Sequence, residues 1–280
     1  MLDQICQIAA QVRERVPLVH NITNYVSVND VANAELAIGG SALMADAIEE
    51  VADMVAIASA VNLNIGTLNE RTIASTLAAG RTANETGTPV VFDPVGAGAS
   101  RLRNETTDQV LASVHPTAIC GNLSEISYVA GLSVATKGVD VAESDADNDA
   151  VAVAKKVALA HDCVVAITGA VDVISDGETV VTIANGSERM SKITGTGCMC
   201  DGLIGCFVGA LDDTSDKKQV LAATAGAVLS MGLAGELSAK KIAEQNEGLV
   251  GTGSLHIGII DLLSTLAEDD YRANARIEVR

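Results

Sequence analysis

Apolar residues along the chain fall into two alternating rhythms. From Leu2 to Val16 they recur at Ile5, Ile8, Ala9 and Val12, a spacing that predicts a helix ended by Pro17. Helical stretches are also predicted through Val31 to Leu36 and from Ala47 to Met54. Short, unbroken apolar runs read instead as buried strands: Ala56 to Asn64, Pro89 to Phe92, Thr117 to Cys120 and Cys163 to Ile167. The last three each follow a helix-like segment, namely Ile73 to Thr86, Thr107 to Val114 and Ala150 to Ala160. They stop at Asp93-Pro94, Gly121-Asn122 and Thr168-Gly169. Such alternation is the mark of βαβ units. The predicted fold class is therefore α/β, with a mostly parallel central sheet and helices on both faces. Val171 to Ile183 reads as two strands around Asp176-Gly177. The last third is mostly helical: Met199 to Gly209, Lys217 to Ala243 and His256 to Ala267. No composition break or repeat divides the chain, so one domain over residues 1–280 is expected.

Composition narrows the class. Apolar residues make up 48% of the chain, mostly Ala, Val, Ile and Leu, while aromatics are 2% and Trp is absent. That palette suits helices packed on a buried parallel sheet. The formal net charge is −18, from 36 acidic and 18 basic residues. This argues against nucleic acid as a partner, because phosphate backbones need basic patches. A nucleotide is still allowed, since backbone N–H groups and Mg²⁺ can hold its phosphates. Two readings of the acidity stay open: a solvated surface, or adaptation to a salt-rich cytoplasm that screens self-repulsion. Glu143 to Asp149 is expected to be a surface loop under either.

Six cysteines occur, with no CxxC and no HExxH, and reduced cytoplasmic thiols are expected. Asp3 stands early and no basic segment precedes it, so a signal peptide is not expected. The longest uncharged stretch, Gln219 to Gly235, carries Gln, Thr, Ser and Gly and reads as a buried helix. A membrane partner is not expected.

In an open parallel sheet, polar residues at the carboxyl ends of strands line the ligand crevice. Here those ends carry Asp93, Asn122 with Glu125, and Thr168-Gly169. The strongest local signal is Ile193-Thr-Gly-Thr-Gly-Cys198-Met-Cys-Asp-Gly202, which opens an apolar helix. Its first N–H groups lack internal partners and form an anion hole around Gly195, Thr196 and Gly197, as phosphoryl transfer requires. A plain Gly-rich turn gives the same pattern. Cys198 sits where the helix field lowers a thiol pKa, so a thiolate is expected there. Cys200 and Cys206 read as buried small apolar residues. Asn122 and Glu125, three apart on a first helical turn, suit either a capping box or a hydrated Mg²⁺. His20, Asn21 to Asn24, and Met44 interrupt apolar surroundings and suit either the core or a substrate contact.

Taken in order, these motifs resemble the hydroxyethylthiazole kinases of the ribokinase-like superfamily over nearly the whole chain. The matching stretches are His20-Asn-Ile-Thr-Asn-Tyr-Val26, Gly39-Gly-Ser-Ala-Leu-Met44, Asn64-Ile-Gly-Thr-Leu68, Asp93-Pro-Val-Gly-Ala-Gly98, Gly121-Asn-Leu-Ser-Glu-Ile126, Thr194-Gly-Thr-Gly-Cys198 and Gly251-Thr-Gly-Ser254. The resemblance implies ATP and Mg²⁺ as cofactors and 4-methyl-5-(2-hydroxyethyl)thiazole as the phosphorylated alcohol. It also implies a homotrimer with active sites between subunits. By motif, Asn24, Met44 and Gly195 would contact the thiazole. Asn122, Thr168, Gly169, Thr194 and the residue at position 120, here Cys120, would serve ATP, and Asp93 and Glu125 would serve Mg²⁺. Cys198 would stand where the wider superfamily has an Asp base. The pattern departs from the family at Cys120, where an Arg usually contacts the ATP phosphates, and at Gly39-Gly-Ser-Ala, where Gly-Ala-Ser-Pro is frequent.

Rival readings are weaker. A nicotinamide enzyme would carry GxGxxG after its first strand, but Gly96-Ala-Gly98-Ala-Ser-Arg101 lacks the third Gly and comes late. No Gly-Lys pair exists for a P-loop. Another ribokinase-like alcohol kinase, or a non-catalytic nucleotide- or thiazole-binding protein on the same fold, remains as the alternative.

Overall fold

The computed structural model describes residues 1–132 and 149–280. Its frame is a nine-stranded sheet in the order β2-β1-β3-β4-β5-β6-β7-β8-β9. Strands β1 (Leu18–Ile22), β2 (Ser41–Leu43), β3 (Ala60–Asn64), β4 (Val90–Asp93), β5 (Ala118–Asn122) and β6 (Val164–Thr168) pair in parallel. Strands β7 (Asp172–Ser175), β8 (Val180–Ile183) and β9 (Ile277–Val279) add an antiparallel edge. The expected α/β class with a mostly parallel sheet is what forms.

Each central strand feeds two cores because successive side chains point to opposite faces. Val91, Ala118, Cys120, Val164 and Ala166 face one core. It is filled by α1 (Leu2–Arg15), α2 (Val28–Ile38), α8 (Thr196–Gly209), α9 (Lys217–Gln245) and α10 (Thr252–Thr265). Val90 and Phe92 face the opposite side, against α3 (Val51–Ile57), α4 (Glu70–Thr86) and α5 (Arg101–Ser113). Further along that face, Ile119, Val165 and Ile167 meet α6 (Leu123–Val129) and α7 (Ala150–His161). A last helix, α11 (Glu268–Asn274), precedes β9.

Several expectations shift. Ala47 to Met54 is not helical throughout; α3 begins at Val51 and takes in Ala56 and Ile57, which were read as the start of a strand. The strand there is shorter, Ala60–Asn64. Strands β1, β2 and β9 are additional to the sequence reading. Helix α9 is long and apolar enough to cross a membrane, yet 89% of its most apolar window is buried in the protein. Glu143 to Asn148 lies outside the described residues. Asp149 caps α7, its Oδ1 accepting from Val151 N at 3.0 Å.

Two features aim α8 at the sheet's carboxyl edge. Gly195 takes the left-handed conformation at φ 85°, which turns the chain sharply into the helix. Gly202 and Gly205 then allow close approach: a Cβ at Gly202 would lie 2.8 Å from Glu35 Oε1, and one at Gly205 2.8 Å from Val19 Cγ1. The first turn of α8 is thereby held over the ends of β1, β3 and β4.

Candidate active site

At the carboxyl edge of the sheet Asn64 of β3 lies beside Asp93 of β4, and Asn122 of β5 beside Thr168 of β6. Over the β5–β6 end lies a cavity of about 660 Å³ whose wall includes Asn122, Thr168, Gly169, Asp172, Thr196 and Gly197. Its size suits a nucleotide. A Cβ added at Gly197 would meet nothing within 4 Å, so the space beside it is open to a ligand. The N–H groups of Thr196, Gly197 and Cys198 stand at the start of α8, ahead of the first helical bond from Met199 N to Gly195 O (2.8 Å). Free N–H groups at a helix start can receive an anion, and these stand at the edge of the cavity.

On the other side of that turn, Cys198 meets Asn24, whose Nδ2 donates to Sγ at 3.0 Å. Ser27 also reaches this sulfur. Asn64 Nδ2 lies 3.4 Å from Sγ and donates to Asp93 Oδ2 and to Asp201 Oδ2, both at 2.9 Å. Asp93 and Asp201 are buried, and each keeps one carboxylate oxygen with no hydrogen-bond partner. Burial and mutual repulsion push the Asp93 carboxyl well above its usual range, and burial pushes Asp201 up to about 7. Glu125 is also raised to about 7 by burial, opposed by the N–H groups that it accepts.

The thiolate expected at Cys198 is corrected by this setting. Burial first, then the Asp201 and Asp93 carboxylates, push the thiol up to about 12. These outweigh the helix field, and the group is a neutral thiol at pH 7.

Glu125 completes a capping box with Asn122: Glu125 N donates to Asn122 Oδ1 at 3.0 Å and Asn122 N to Glu125 Oε2 at 2.8 Å. Oε1 accepts from Gly96 N at 2.7 Å. The 94–98 turn is held in place by Arg103, whose guanidinium donates to the carbonyls of Ile65 (2.8 Å), Gly66 (2.8 Å) and Val95 (2.5 Å). Among the described residues no group of three His, Cys, Asp or Glu side chains is disposed to hold a metal. The donors nevertheless fit Mg²⁺. Asp93 offers a buried, unpartnered oxygen, and Mg²⁺ takes one or two carboxylates and fills its remaining positions with water and phosphate.

The expected residues therefore separate into groups. Asn122, Thr168, Gly169, Thr196 and Gly197 line the cavity. Asn24, Gly195, Cys198 and Asp93 gather at the start of α8. Met44 is half-buried just past β2, off the cavity wall, and Thr194 is exposed in the turn before α8. Cys120 is corrected: it is 2% exposed, in the core and not on the cavity wall. Sequence reasoning missed Asn64, Asp201, Asp172, Ser27 and Arg103. Asp172 accepts from Gly169 N at 2.9 Å and is pushed up to about 7 by burial.

The chain has a ribokinase-like fold, with the free N–H groups of a helix start beside buried carboxylates at the carboxyl edge of a parallel sheet. The fold agrees with a ribokinase-like superfamily protein from Enterococcus faecalis (TM-score 0.66, 12% identity, covering 97% of this chain and 95% of that one). The chain belongs to the hydroxyethylthiazole kinase family, whose model matches residues 9–269. It is 54% identical to the hydroxyethylthiazole kinase of Ruminiclostridium cellulolyticum over 275 residues, 98% of this chain and 97% of that one. To the enzyme of that name from Methanocella arvoryzae it is 43% identical over 272 residues, 96% of each chain. The solved hydroxyethylthiazole kinase of Pyrococcus horikoshii superposes with a TM-score of 0.85 at 37% identity, covering 99% of this chain and 98% of that one.

Proposed function

We propose that this kinase transfers the γ-phosphoryl group of ATP to the hydroxyl of 4-methyl-5-(2-hydroxyethyl)thiazole, a step of thiamine salvage. The observation that carries the reading is the meeting, at the first turn of α8, of a nucleotide-sized cavity with the Asn24–Cys198 pair. The triphosphate enters from the cavity, past Asn122, Thr168 and Gly169. The transferring phosphoryl lies against the N–H groups of Thr196, Gly197 and Cys198. The alcohol lies on the far side, against Asn24, Cys198 and Gly195, with Met44 at its outer edge.

Mg²⁺ would be held through Asp93 and Glu125, and when bound it neutralises charge on the phosphate oxygens. Phosphoryl transfer through a loose transition state is driven by positioning and charge stabilisation, so a neutral thiol beside the hydroxyl suffices. In this reading Cys198 shapes and orients the acceptor site; it does not supply a preformed base.

The same reading has three copies assembling around active sites between subunits, in the cytoplasm, where ATP is supplied. Tyr25 and Val26, 78% and 56% exposed beside Asn24, support it by leaving apolar surface at the acceptor edge. Light scattering should give about three times 28.6 kDa; a monomer with full activity would refute the trimer. The substrate is tested by ADP release with the thiazole alcohol, pyridoxal and a hydroxymethylpyrimidine in parallel. The thiazole should be preferred, and preference for either of the others would refute the assignment.

A further inference from the structure

Asn64 touches more of the site than any residue picked out from sequence. Its Oδ1 accepts from Asn24 Nδ2 at 3.0 Å and from Gly66 N at 2.9 Å. Its Nδ2 donates to Asp93 Oδ2 and Asp201 Oδ2. This orientation is forced. A backbone N–H can only donate, so Oδ1 must face Gly66, and Nδ2 must then face the carboxylates.

The polarity passes on to Asn24. Because Asn64 Oδ1 accepts, Asn24 must present Nδ2 to it, and Asn24 Oδ1 then receives Val26 N (3.2 Å), Ser27 N (3.2 Å) and Ser27 Oγ (3.1 Å). The same Nδ2 donates to Cys198 Sγ. Gly66 leaves Asn24 the room for this pose: a Cβ there would lie 2.7 Å from Asn24 Nδ2. The sulfur is thus fixed as an acceptor, and the acceptor side of the site is tied to the metal-side carboxylate through one carboxamide.

The geometry points to Asn64 as a positioning residue for phosphoryl transfer, one that sets the orientation of Asn24 and Cys198 relative to Asp93. It rests on the kinase reading above. Asn64 and Asn24 are alike 5% exposed, and of the three only Cys198 is half-buried, so Asn64 meets the site through Asn24 and Cys198. Its effect therefore passes through them.

The test is a double-mutant cycle on phosphorylation of the thiazole alcohol: wild type, Asn64→Ala, Asn24→Ala and the double variant, with kcat and the KM for ATP measured separately. Should Asn64→Ala fail to fold, Asn64→Ser, which keeps a small polar group, takes its place in the same cycle. The expected result is a fall in kcat of about tenfold for Asn64→Ala with the KM for ATP within about twofold, and coupling of about tenfold with Asn24→Ala, in the range found for residues sharing one hydrogen-bond network. The double variant should then be little worse than the poorer single one. Active wild type with multiplicative losses in the double variant would overturn the positioning role alone. So would a raised KM for ATP with kcat retained. A wild type inert toward the alcohol would overturn both the role and the functional reading beneath it.

Discussion

Replacing Cys198 by Ala separates two accounts of the chemistry. In a general-base account the thiolate removes the hydroxyl proton, and deleting such a base slows turnover by about 10²–10⁴-fold. The environment of Cys198 speaks against that account. With the thiol pushed up to about 12, far above the assay range, almost none of it is ionised at pH 7.5. Burial is the largest cause of the rise and persists when a metal neutralises Asp93. What Ala removes is a packing group and the acceptor for Asn24. The turnover number should therefore fall by less than about tenfold, a loss of about 1.4 kcal/mol or less in transition-state stabilisation. The assay is kcat at saturating ATP and alcohol from pH 6.5 to 9 for both proteins. The two profiles should run parallel. A hundredfold loss, together with a rising limb that only the wild type shows, would refute the neutral-thiol account.

Gly197→Val should fold normally, because its Cβ meets open space, yet fill the room that a phosphate would use. Activity at fixed ATP should fall on the order of 10²-fold, the scale of losing one stabilising N–H donor, with the melting temperature unchanged; an active variant would mean that the phosphates lie elsewhere. Asp172 is buried and raised from 3.8 to about 7, so ionising it in the folded state opposes folding. This penalty appears as pH rises above 3.8 and is complete above about 7, where it is on the order of 4 kcal/mol. Asp172→Asn, which keeps an acceptor for Gly169 N, should resist urea better than wild type at pH 8, with the gap narrowing toward pH 5. A gap that does not change with pH would refute the assignment.

The sequence was most legible where one physical signal dominated. Strands β4, β5 and β6 are unbroken apolar runs ending in Asp, Gly-Asn and Thr-Gly, and each was placed to within two residues. Strand β1 was obscured because His20 and Asn21 break its apolar run; both are buried, with His20 Nε2 2.6 Å from Ala45 O and Asn21 bonded to Glu35. Partners distant in sequence satisfy them, and no local pattern announces that. Asn64 could have been found, since it ends a recognised strand, as Asp93 does. Asp201 had a signal as well: it lies three residues beyond Cys198 on one helix, so both share a face. The direction of the Cys198 shift could not be read from the chain. The helix start is a local feature, whereas the burial and the Asp93 carboxylate that outweigh it come from tertiary packing.

The most direct measurement is the product of the wild-type reaction. The protein is incubated with ATP, Mg²⁺ and 4-methyl-5-(2-hydroxyethyl)thiazole, ADP is counted, and the thiazole product is weighed by mass spectrometry. One thiazole monophosphate should form for each ADP, and both should cease when either Mg²⁺ or the alcohol is omitted. ADP released at the same rate without the alcohol, or thiazole recovered unmodified from a protein that binds it, would contradict phosphoryl transfer to this acceptor.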